Sequence, residues 1–201
     1  MIEMGLATEN DMVLAFLRAE VESPRFGAIY SQYLDRLNTC GISRERLIDS
    51  ADLNSPRENA QRIELLKAVR GYRANNLLFR SFPNDVTWRR VGVEPSDWMN
   101  VRYANYPTWV TLSQGTRVVT DGAKNIDSIS AEDANDNIRA LAVELGKGTR
   151  YPDLIGVVDG DNGIILIEGH SRATAYALTR FQEPVPCIIG SSTHMKAWVF
   201  Y

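Results

Sequence analysis

The stretch that decides the fold reads Ile164-Ile165-Leu166-Ile167-Glu168-Gly169-His170-Ser171-Arg172-Ala173-Thr174-Ala175-Tyr176. Its first four residues are an apolar, β-branched run of strand type, and from Ala173 to Arg180 the Ala, Leu and Tyr content is that of a helix. A strand that ends in Gly and opens at once into a helix aims unpaired backbone amides and the positive end of the helix dipole at one spot, which binds anions. Gly169 removes the side chain that blocks a close approach, Ser171 can cap or donate its hydroxyl, and Arg172 offers a planar fork suited to phosphate oxygens. His170 is expected to project from the turn as a donor or proton carrier, and Glu168 to serve as a base or a metal ligand. Gly-x-x-Arg at a helix start also occurs as a plain cap, so the spacing alone leaves both readings open.

Outward from this turn the surroundings are legible. Leu154–Val158, then Asp159-Gly160-Asp161-Asn162-Gly163, then Ile164–Ile167 read as a hairpin of two strands. Asp159 and Asp161 join Glu168 as candidate Mg²⁺ ligands because carboxylates suit that cation, although Asp-Gly and Asn-Gly also favour turns without any ligand. Ser130 with Asp133 predicts a capping box for a helix over 134–145, and Pro184-Val185-Pro186 introduces a last strand, Cys187–Gly190.

The first eighty residues read as helices: one from about Thr8 to Val21, one from Phe26 ended at Cys40-Gly41, a short one after Ser43, and one opened by Ser55-Pro56 and closed at Gly71. In the last, Ser55 is expected to cap the amides and Glu58 to reach back. Arg62, Arg70 and Arg73 are expected on roughly one side of it, a candidate phosphate-contacting face for nucleic acid. Between Pro83 and Lys124 the pattern turns to β-branched and aromatic runs such as Val86–Val93 and Trp109–Leu112. Trp88, Trp98 and Trp109 interleave with Arg89, Arg90 and Arg102 in a way that suits base stacking, but core packing is the better reading.

The bulk numbers set bounds. With 201 residues, 44% of them hydrophobic, the chain can close a substantial core. No run approaches the roughly 18 apolar residues of a membrane helix, and Met1 to Asn10 lacks a secretory pattern, so a soluble cytoplasmic protein is expected. Cys40 and Cys187 predict buried, inert thiols rather than a disulfide. The net charge of -3 disfavours indiscriminate attraction to nucleic acid, yet residues 56 to 90 hold eight bases against three acids, while residues 120 to 168 hold ten carboxylates against four bases. No Gly, Pro or Ser-rich linker separates residues 1–82 from 83–201, so the former are expected as a helical layer packed on the sheet of the latter.

The order of helix, hairpin, Glu168-Gly169-His170-Ser171-Arg172-Ala173, helix, Pro-Val-Pro and strand resembles the ParB/sulfiredoxin superfamily, over about residues 130 to 190. The resemblance implies an α+β fold with a small mixed β-sheet and a nucleotide, ATP or another, bound by its phosphates at Gly169, His170, Ser171, Arg172 and Thr174. Sulfiredoxin-like members carry a Cys where this chain has His170, which argues against sulfinic acid reduction. Partition-type members have Glu-Arg-Arg after the Gly and a second, downstream box rich in Asn, Glu and Arg, neither seen here. The acidic-Gly-His-x-Arg version looks like that of members with phosphotransfer or nucleotide-hydrolysing activity, and other relatives, often on mobile elements, are nucleases. The implied function is an ATPase or nuclease-type effector acting on or near DNA with Mg²⁺, with Glu168, His170 and Arg172 catalytic. The alternatives are a non-catalytic inhibitory effector that grips DNA or a protein of a transfer or defence machine, and a small-molecule kinase.

Overall fold

A computed structural model describes the chain except for residues 131–133 and 161–162, and of Ala134 it describes the backbone alone. Asp161, and Asp133 of the expected capping box, therefore lie outside the described residues.

Thirteen regular segments matter for the site. The strands are β1 (Ile2–Ala7), β2 (Thr87–Val93), β3 (Val101–Arg102), β4 (Leu154–Asp159), β5 (Gly163–Glu168) and β6 (Val185–Ser191). The helices are α1 (Glu9–Glu20), α2 (Gly27–Thr39), α3 (Pro56–Arg70), α4 (Pro107–Leu112), α5 (Val119–Lys124), α6 (Ala134–Gly146) and α7 (His170–Thr179). The strands form one mixed sheet in the order β1-β2-β6-β4-β5-β3. Pairing is antiparallel except between β4 and β6 and between β3 and β5. The fold is thus α+β with a mixed sheet.

Both faces of the sheet are covered, as the continuous apolar runs of β4 and β5 require. In β5, Ile165 and Ile167 point to one core and Ile164 and Leu166 to the other, and β6 divides Ile188 from Cys187 and Ile189 in the same way. This is the two-residue period of a strand written into two hydrophobic layers. The first core is closed by the apolar stripes of α1, α2 and α3, with Met12, Phe16, Leu17, Tyr30 and Leu66 fully buried. The second is closed by α4 to α7.

Local chemistry explains the helix ends. Thr8 and Asp11 close a reciprocal capping box on α1. Ser55 accepts from the Glu58 amide, Pro56 occupies the first turn of α3, and Gly71 at φ 81° ends it. Glu58 does not reach back as the sequence suggests: its buried carboxylate pairs with Arg46 at 2.5 Å instead.

Three segments depart from the sequence reading. Ile2–Ala7 adds an edge strand to a region read as wholly helical, so residues 1–82 also contribute to the sheet through the β1–β2 pair. Its apolar residues are largely exposed and a bulge falls between Glu3 and Gly5, so it lacks the half-buried alternation that marks a strand in sequence. The run Trp109–Leu112 is helical rather than extended, because Pro107 starts a helix whose Trp109 and Leu112 pack inward. Cys40 is exposed while Cys187 is buried, its thiol pushed up by desolvation; Cys40 lies just beyond the helix end rather than on the packed stripe of α2. The tryptophans Trp88, Trp98 and Trp109 are core residues. No described helix is long and apolar enough to cross a membrane.

Candidate functional site

β5 delivers Glu168 to the end of the sheet, and Gly169 turns the chain at φ 94°, a left-handed conformation that a side chain strains. A Cβ at Gly169 would also meet Leu154 Cδ2 at 2.5 Å. α7 then begins with no side-chain cap, and its first backbone bond runs from Ala173 N–H to the Gly169 carbonyl. The amides of His170, Ser171 and Arg172 accordingly find no acceptor among the described residues, which leaves the start of the helix electropositive and open to an anion. Ser171 is half-buried and its hydroxyl has no described partner.

His170 is fixed by its surroundings. Its ring stacks on Trp109, centroids 5.2 Å apart, and on Tyr103 at 6.0 Å. Its Nε2 accepts the Ala104 amide at 3.2 Å, so the proton sits on Nδ1. Burial, aided by Arg70, Arg172, Arg25 and Arg117, pulls its pKa down to about 3, so it stays neutral in the physiological range. The buried side-chain nitrogens and oxygens without a partner among the described residues belong to Arg62, Arg70 and Trp98. Nδ1 has no described partner either and is not among these fully buried atoms. His170 offers a standing hydrogen-bond donor rather than the proton carrier that the sequence allows.

Two residues of the expected phosphate cradle turn inward. Arg172 is buried; one terminal amino group donates to the carbonyl of Pro152 and, at 3.4 Å, to that of Asp153, and the other lies 3.4 Å from Glu168 Oε1. Its two terminal amino groups brace the approach to β4 and lie against Glu168. Thr174 is buried too, donating to the His170 carbonyl at 2.8 Å and sharing a 2.7 Å hydrogen bond with the Tyr103 hydroxyl. The i−4 carbonyl bond and the ring hydroxyl leave it no route to a phosphate.

The other wall of the site comes from the N-terminal helices. Glu20, the last residue of α1, is buried, takes a hydrogen bond from the Tyr30 hydroxyl at 2.9 Å, and lies 3.3 Å from Arg70 Nε. Desolvation and the nearby charge of Glu168 push its pKa up to about 8, against the pull of Arg70, Tyr30 and Arg25. Arg70, in the last turn of α3, lays its guanidinium over the Phe26 ring at 4.1 Å, and Arg25 approaches the same ring at 5.3 Å. These residues lie near the α7 turn: the charge of Glu168 reaches Glu20, and those of Arg25 and Arg70 reach His170. Of Glu20, Arg25 and Arg70, only Arg70 is legible in the sequence as a functional candidate. Glu20 had a signal: it continues the apolar stripe of Met12, Val13, Phe16 and Leu17, a place where a carboxylate is out of keeping.

The remaining candidates are not brought together. Asp159 pairs at the hairpin tip with Gly163 while Glu168 pairs with Ile155 at the far end, so the two carboxylates are separated by the length of β5, about 17 Å. One cation cannot bridge them, and Asp159 is held by Arg102 at 3.2 Å and by the Tyr201 hydroxyl at 3.3 Å. Among the described residues no group of three His, Cys, Asp or Glu side chains is placed to hold a metal ion. The three arginines of α3 and its exit also diverge. Arg62 is buried and bonds the Leu47 and Asp52 carbonyls and Asn59 Oδ1, Arg73 pairs with Glu9, and Arg70 alone faces the cleft. Helical spacing put them near one side; it did not say that Arg62 is buried there, or that the helix ends at Arg70 before Arg73 is reached. Two hollows of about 530 and 260 Å³ lie elsewhere, one by Asp85, Ser192 and Tyr201 and one by Glu9, Arg73 and Phe82. Neither is lined by the α7 turn.

Compared with known proteins, the chain matches no family model, no curated protein and no solved structure.

Proposed function

We propose that this chain is a nucleotide-binding protein of ParB/sulfiredoxin type that hydrolyses its nucleotide in the cleft at the start of α7. The observation that carries the reading is the uncapped helix start after Gly169, where three amides without described acceptors lie beside the neutral His170 and near the charges of Arg25, Arg70 and Arg172. Phosphate is the ligand that such a set of fixed donors suits. Glu168 then stands beside the bound phosphates as the base. It takes a proton from water as the water oxygen bonds to the terminal phosphorus, and the bridging P–O bond breaks with its electrons passing to the leaving phosphate. Arg172 serves by holding Glu168 and the β4 approach, which makes it a positioning residue.

A resident Mg²⁺ does not fit the donor set: among the described residues no three His, Cys, Asp or Glu side chains are placed to hold it, and Glu168 lies against Arg172. A DNA grip along α3 loses its surface because Arg62 is interior. Calorimetric titration with ATP, ADP, CTP and GTP, with and without Mg²⁺, tests the proposal on the wild type and on Ser171→Glu, which places a carboxylate where phosphate would sit. Binding to the wild type that drops at least tenfold in the variant, with hydrolysis lost in Glu168→Gln, is the expected result. Absence of binding to either protein would return the turn to the rank of a helix start.

A further inference from the structure

Arg25 and Arg70 approach the same ring, that of Phe26, from two different segments. Arg70 lies in the last turn of α3, and Arg25 and Phe26 lie between α1 and α2, where the Phe26 amide donates to Ser23 Oγ at 3.0 Å and fixes the loop. Two like charges so placed repel one another, and ring contacts offset only part of that. Their counter-charge inside the protein is thin. Arg25 has no ion pair among the described residues. Arg70 has the contact of its Nε with Glu20, which at 3.3 Å is too poorly aligned to be a hydrogen bond. Glu20 itself is committed to Tyr30 and holds its proton up to about 8, so near neutrality it supplies little negative charge. The terminal amino groups of Arg70 have no described partner, and the side chain is partly exposed. A guanidinium packed over a ring, with terminal amino groups that have no described partner, suits an oxyanion.

We infer that Arg25 and Arg70, packed on Phe26, form a second anion subsite, so that the cleft takes two separate oxyanion groups, phosphate or carboxylate, one at the α7 amides and one at these guanidiniums. The inference rests on the reading of the α7 turn as a phosphate site only for its first subsite. The two subsites lie near one another, since the charges of Arg25 and Arg70 act on His170 and that of Glu168 acts on Glu20.

Calorimetric titration with inorganic phosphate counts the subsites, with ³¹P NMR to follow exchange. Two phosphates per wild-type chain are expected. Arg70→Gln and, separately, Arg25→Gln should each retain one and lose the other or weaken it at least tenfold, while Ser171→Glu loses the complementary one. Arg25 is exposed, so its variant stays informative even where Arg70→Gln disturbs the packing around Glu20. A single phosphate that is lost in Ser171→Glu and untouched by both arginine variants would overturn the second subsite and leave the first reading standing. A single phosphate sensitive only to the arginines would do the reverse, and no phosphate at all would overturn both. Addition of ADP identifies the source. Release of both phosphates assigns the subsites to one nucleotide; release of one assigns Arg25 and Arg70 to a separate anionic molecule.

Discussion

Glu20 and His170 are displaced from their ordinary protonation in opposite directions, and each leaves a measurable trace. Glu20 ionises near 4.5 in the unfolded chain but holds its proton up to about 8 when folded. Between those values the folded state binds more protons, so this group's contribution is intact below pH 4.5 and is lost as pH rises through about 8. Glu20→Gln is expected to flatten the fall in Tm between pH 5 and pH 9 relative to the wild type, as read by calorimetry. His170 behaves oppositely: its pKa is pulled from 6.5 to about 3, so its contribution is present above pH 6.5 and is lost as pH falls towards 3. ¹⁵N NMR of the imidazoles should show His170 as the neutral Nδ1–H tautomer throughout pH 5 to 8, whereas a titration near 6.5 would refute the stacked, amide-bonded geometry. The sequence could name His170 as a candidate; the proton's place depends on the Ala104 amide, which lies 66 residues away in the chain.

The β5–α7 connection is the element on which both proposals turn, and its parts divide into structural and exposed. Gly169→Ala meets a left-handed φ and a clash with Leu154, so a loss of about 1–3 kcal/mol is expected by urea unfolding. Arg172→Ala removes a buried guanidinium from two backbone carbonyls and one carboxylate, and should cost about 2–4 kcal/mol. If Arg172 instead contacted the ligand directly, the same variant would lower affinity without lowering stability. The sequence showed the turn, both strands of the hairpin and α7 from apolar runs and Gly placement. It could not show that Arg172 and Thr174 point inward, because a residue's direction at a helix start depends on what packs beneath it, here the 152–153 carbonyls and Tyr103.

At the scale of the molecule, the sheet needs helices on both faces. Without α1 to α3, Trp88, Ile155, Val157, Ile165, Ile167 and Ile188 would lie bare on one side. Residues 83–201 expressed alone are therefore expected to aggregate or to give collapsed, poorly dispersed amide spectra, and a well-dispersed spectrum would show that the layer is dispensable. The cleft depends on the same union, since one wall carries Glu168 and His170 and the other Glu20, Arg25 and Arg70.

The sequence by itself determined the local events: the helix start near Thr8, the cap at Ser55, the stop at Gly71, the hairpin, the Gly169 turn and the amphipathic stripes, all set by interactions within a few residues. It also determined that the fold is mixed. Only the tertiary structure decided which arginine of α3 faces the cleft, that Asp159 and Glu168 stand at opposite ends of β5, and that Glu20 joins the site. Those outcomes depend on how α1 and α3 sit against the sheet, and helical spacing gives the faces of a helix without saying which face the rest of the chain will bury.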